Sequence, residues 1–103
     1  MPTVDLFDLP AFDPKHRGGP RECADKLMSE AAEVFAEVRC LDEVRDNGGS
    51  ADPYRRFVAL EIADVLQVCR NICRVCKIDP DMMAEAMREC YEKNNEKDGG
   101  RYW

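Results

Sequence analysis

The chain has 103 residues and a formal net charge of −6, with an isoelectric point near 4.8. That length suits one small domain, and that charge argues against electrostatic capture of nucleic acid or of an anionic membrane. No run of about 18 apolar residues occurs, so no membrane-spanning helix is predicted.

Taken in chain order, residues 1–20 carry Pro2, Pro10, Pro14 and Pro20 and the pair Gly18-Gly19. This predicts an extended arm, pinned by Leu6, Phe7, Leu9 and Phe12 and holding at most short extra turns. Its opening, "MPTVDLFDLPAF", has neither the basic flank nor the unbroken apolar run of a secretory signal. From about Arg21 to Arg45 the pattern turns helical. Leu27, Ala31, Val34, Val38 and Leu41 recur at steps of three and four, and Met28 and Phe35 widen the stripe. "DNGGSADP", residues 46–53, stops this helix with glycines and starts a second near Pro53 that should run to Lys77. In "IDPDMMAEAM", Asp79 is the N-cap, Pro80 the first helical residue and Asp81 the first-turn acid of a third helix reaching about Lys97. Strand signals are absent. The expected architecture is all-α: an arm over 1–20 and a domain over 21–103 built from three main helices, at 21–45, 53–77 and 80–97.

Two rival sets of metal ligands share the second helix, in "EIADVLQVCRNICRVC". On a helical wheel Phe57, Val58, Val65, Val68, Ile72 and Val75 all fall within roughly 60° of Glu61, and Asp64 lies at the edge of that sector. An ionised Glu at the centre of an apolar stripe is costly unless it is paired or binds a cation. The first helix offers Glu30, Glu33 and Glu37 on one flank. Alone, such a row is an ordinary solvated edge. On antiparallel helices, Glu30 and Glu33 of the first and Glu61 and Asp64 of the second can converge on one oxygen-rich pocket suited to magnesium or manganese, with a phosphorylated small molecule completing the coordination. Cys69, Cys73 and Cys76 fall beside Val58 and Ile62 and are expected to pack in the core as small hydrophobes. Six cysteines without a secretory signal point to reduced thiols in the cytoplasm.

The pairing of E-x-x-E (Glu30, Glu33 in "MSEAAEVFAEV") with E-x-x-D (Glu61, Asp64 in "LEIADVLQV"), followed by "EKNNEK", resembles the MazG-type all-α nucleoside triphosphate pyrophosphohydrolases over about residues 21–103. The chain departs from that pattern at Ser29, where many members carry another acid, and in the long connection of residues 34–60. The resemblance implies magnesium ligands at Glu30, Glu33, Glu61 and Asp64, with manganese as a substitute. It implies phosphate contacts from Lys93, Asn94, Asn95, Lys97 and Arg101. The reaction implied is conversion of an NTP or dNTP to the monophosphate and pyrophosphate, with Glu33 or Glu37 orienting or deprotonating the attacking water. His16, Tyr54, Tyr91, Tyr102 and Trp103 are the rings available to a base. The apolar face of the second helix covers half its circumference, more than two neighbouring helices bury, and the resemblance likewise implies a homodimer or homotetramer. Two other readings stay open: a non-catalytic helical interaction module with a structural cation, and a cysteine-based metal or redox protein.

Overall fold

The computed structural model describes residues 5–11, 18–97 and 99. Helices form where the patterning places them: α1 (Pro20–Asp46), α2 (Asp52–Val75) and α3 (Pro80–Lys97). No strand occurs among the described residues. The fold is a small all-α assembly.

Each boundary has a local cause. Glu22 accepts the Gly19 N–H at 3.0 Å in front of Pro20, which satisfies a donor that a helix start leaves without a partner. At the other end of α1, Gly48 adopts φ 80°. Its N–H reaches the Arg45 carbonyl at 3.0 Å and the Gly49 N–H reaches that of Val44 at 2.8 Å. This is the left-handed C-cap for which glycine is best suited. The end of α2 repeats that hydrogen bonding without a glycine. Ile78 N–H bonds the Cys73 carbonyl at 2.8 Å, with Lys77 in the left-handed region at φ 58°. The helix therefore stops at Val75, two residues short of the predicted Lys77. Asp79 then caps α3 as expected, accepting the Met82 N–H at 2.8 Å.

Within the arm, residues 5–11 and 18–20 are described. Residues Leu6–Asp8 make one 3₁₀ turn, closed by a reciprocal pair in which Asp5 accepts from Phe7 N–H and Asp8 accepts from Asp5 N–H, each at 2.9 Å. Arg70 and Gln67, both on α2, hold this arm. The Arg70 guanidinium lies 4.7 Å from the centre of the Phe7 ring and donates to the Leu9 carbonyl at 3.0 Å. Gln67 donates to the Pro10 carbonyl at 2.8 Å. Of the four residues expected to pin the arm, Leu6, Phe7 and Leu9 are half-buried, and Phe12 lies outside the described residues.

Packing is dominated by α1 against α2, with the 3₁₀ turn resting on α2 and α3 touching the rest only slightly. Cys23 and Glu30 on α1 share one cleft with Val68, Asn71 and Asp64 on α2, so the two helices run antiparallel. The apolar residues that become buried are Cys23, Val68 and Cys73, and no described side chain is completely enclosed. Part of the expected stripe stays in solvent: Met28 is 75% exposed and Phe35 64%, and Val38 and Phe57 are also exposed, as are Leu60, Ile62 and Leu66 outside it. The radius of gyration is 16.4 Å, against about 13 Å for a compact domain of this length. One chain makes a helical hairpin with an appended helix, and its apolar surface exceeds what it covers.

Candidate metal centre

The geometry begins with the antiparallel pairing of α1 and α2. Steps of three on α1 put Glu30 and Glu33 on one edge, and Glu61 on α2 comes opposite them. One carboxylate oxygen from each of the three lies within 4.8 Å of the others. Glu30 is 7% exposed, Glu61 is half-buried and Glu33 is open to solvent. Oε2 of Glu30 and Oε2 of Glu61 are both buried and receive no hydrogen bond. Buried carboxylate oxygens without donors are uncommon, because each forfeits its hydration. One internal compensation is present: Lys26 Nζ sits 2.8 Å from Glu30 Oε1.

The strain of this arrangement falls on Glu61. A side-chain hydrogen bond with Glu33 pushes its carboxyl above the usual carboxylate range, and so do loss of hydration and the charges of Glu33, Asp64 and Glu30. Protonation is one way to relieve such crowding, and a bound cation is the other. The donor set is made only of oxygen, and clustered carboxylates of this kind suit magnesium or manganese over softer ions. The residues fit the ion that the sequence pattern implies.

The other sequence-derived positions divide clearly. Asp64, exposed and one turn beyond Glu61, lies outside the close trio but lines a cleft of about 260 Å³ next to it, together with Glu30, Lys26, Cys23, Gln67, Val68 and Asn71. Glu37 is half-buried and also lies outside the trio. Lys93 and Lys97 are exposed and Asn94 and Asn95 half-buried near the end of α3, and none of the four lines the cleft. Asn94 donates to Cys90 Sγ at 3.4 Å. Tyr54 makes an edge-to-face contact with Phe57, ring centres 5.9 Å apart. Arg101, His16, Tyr102 and Trp103 lie outside the described residues.

The thiols require one correction. Cys73 is buried and Cys69 half-buried, but Cys76 is exposed. It occupies the C-cap of α2, past the last helical residue, where the wheel that put it on the apolar face no longer applies. Burial, then the neighbouring Cys73, pushes the Cys69 thiol up, away from the thiolate that a soft metal needs. Among the described residues no three thiols converge.

Lys26, Gln67 and Asn71 are absent from the sequence-derived site. The available signal is spacing: Lys26 precedes Glu30 by four, and Gln67 and Asn71 follow Asp64 by three and seven, so each shares a helix face with one of the site's acids. None of the described helices is long and apolar enough to cross a membrane. No family model, no curated protein and no solved structure matches the chain.

Proposed function

We propose that the chain is a magnesium-dependent nucleoside triphosphate pyrophosphohydrolase, acting on an NTP or dNTP in the cytoplasm to release the monophosphate and pyrophosphate. The observation that carries this reading is the convergence of Glu30, Glu33 and Glu61, two of them with a buried oxygen that no donor reaches. The paired E-x-x-E and E-x-x-D motifs, similar to those of MazG-type enzymes, supply the reaction class. Glu30, Glu33 and Glu61 would hold the ion, with Asp64 at the cleft side of the group. Magnesium, when bound, would polarise the phosphoryl oxygens and lower the pKa of a water.

The chain's own residues divide the remaining work. Glu33, open to solvent within the trio, is the better placed of the two candidate bases to take a proton from water. Glu37 lies outside the trio, which favours a supporting role on the same face. The cleft between α1 and α2 would exclude water from one side of the substrate. Lys93, Asn94, Asn95, Lys97 and Arg101 would hold the phosphate tail, and because α3 barely touches the hairpin, assembly into a dimer or tetramer would set their position. The exposed apolar residues on α1 and α2 support that assembly.

A panel of NTPs and dNTPs with magnesium, with pyrophosphate and orthophosphate measured separately, tests the reading. Pyrophosphate should appear in step with the monophosphate. Glu33→Gln should remove turnover by at least about a hundredfold, as loss of a metal ligand and base together, and Glu37→Gln should leave most of it. Metal binding without turnover of any nucleotide would leave only a structural cation in a helical interaction module.

A further inference from the structure

Lys26 stands where the acid trio meets the cleft. Its ammonium is 2.8 Å from Glu30 Oε1, with the lysine side chain 55% exposed and the glutamate side chain 9%. Glu30 is thereby shared: it belongs to the trio, its Oε2 is buried without a donor, and its Oε1 carries an internal cation. Lys26 also lines the cleft beside Asp64 and Gln67.

A divalent ion held by Glu30 would share one carboxylate with an ammonium group. The repulsion between them is twice that between two unit charges at the same separation, and it is weakened less at a half-buried site than in bulk water. A polyphosphate in the cleft reverses the sign. Its oxygens accept from an ammonium that has three donors on a flexible stem, and its negative charge lies between the two cations. We propose that Lys26 couples the two ligands of this site, weakening the binding of a divalent cation alone and making that cation and a polyphosphate bind cooperatively. The proposal rests on the reading of the trio as a cation site and goes beyond it. Coupling of this kind is reciprocal, so the metal strengthens polyphosphate binding by the same factor.

The test is Mn²⁺ binding at buffered free-metal concentrations, with and without imidodiphosphate as a non-hydrolysable probe, for the full chain and for Lys26→Met, Lys26→Gln and Lys26→Arg. Circular dichroism reads the fold of each variant. Without the probe, Lys26→Met should bind Mn²⁺ about tenfold more tightly than the parent, and Lys26→Gln, which keeps a hydrogen bond to Glu30 without the charge, should match it. Imidodiphosphate should tighten Mn²⁺ binding by about tenfold in the parent and in Lys26→Arg, and by much less in the two neutral variants. Equal Mn²⁺ affinity in parent and neutral variants, or equal tightening by the probe, overturns the coupling while leaving the cation site standing. Absence of Mn²⁺ binding in every form overturns both.

Discussion

Replacing Glu61 by Gln should invert the protein's response to magnesium. Without a cation, the Glu61 carboxyl is held above its ordinary range, first by its hydrogen bond with Glu33, then by lost hydration and by the charges of Glu33, Asp64 and Glu30. A carboxyl whose folded pKa is raised binds its proton more tightly in the folded state than in the unfolded one. The stability it confers is therefore complete below its ordinary value near 4.5 and declines as pH rises through the higher folded value. Glutamine has no proton to lose, and its amide can donate to the Glu33 carboxylate with which Glu61 makes its hydrogen bond. In EDTA at pH 7.5 the Glu61→Gln variant should melt at or above the parent, with a shallower loss of stability between pH 4 and 8. Magnesium reverses the ranking. An ion that binds only the folded state adds about 2.7 kcal/mol at a hundred times its Kd. For a domain of this size, with about 4–8 °C per kcal/mol, that raises the parent's melting temperature by roughly 10–20 °C. The variant, lacking one ligand, should gain little. Thermal melts followed by circular dichroism, with EDTA and with magnesium, read both effects. A variant less stable than the parent in EDTA at pH 7.5, or one that gains as much from magnesium, would refute the assignment of Glu61 to a cation site.

Lys77→Gly should stabilise the protein by about 0.5–1 kcal/mol in urea unfolding. The exposed lysine sits at φ 58°, and glycine relieves that conformation while giving back part of the gain through its freer unfolded chain; a loss of stability would contradict the C-cap geometry. Cys73→Ala should cost on the order of 1 kcal/mol as a small buried side chain is cut back, and Cys76→Ser almost nothing, because that thiol is exposed. The combined Cys69, Cys73 and Cys76 variant should keep its metal-dependent turnover, and loss of turnover together with a bound metal in a folded variant would restore the cysteine-based reading. Light scattering should give at least twice 11.8 kDa, since one chain leaves apolar residues of α1, α2 and α3 exposed; a monodisperse, fully active monomer would show that those faces serve something else.

The helices were legible in the sequence because their signals are local. Spacing of three and four, the glycines of residues 48–49 and the Asp79-Pro80 start each act within a few residues, and the last two reappear in the hydrogen bonds at the helix ends. Where local signals compete, tertiary packing overrides them. Lys77 adopts a glycine-like conformation that no propensity favours, and Cys76 escapes the apolar face because the helix stops one residue before it. The acids are legible on different grounds, the cost of a charge in an apolar stripe, which singles out Glu61 whatever its neighbours.

Periodicity determines which residues share a face, and through it the sequence alone determined three helices, the two carboxylate pairs and the broad apolar face of the second helix. It does not determine how far one helix is slid or rotated against another. Only the tertiary structure decided that Glu30, Glu33 and Glu61 form the close trio, and that Asp64 and Glu37 are left outside it. The same packing made Lys26 the internal partner of Glu30, and put Arg70 and Gln67 on the carbonyls of the arm. These relations depend on the register between α1 and α2, which is set by a few buried contacts around Cys23, Val68 and Cys73. A slide of one residue moves a side chain by 1.5 Å along the axis and about 100° around it, enough to separate carboxylate oxygens now within 4.8 Å of one another.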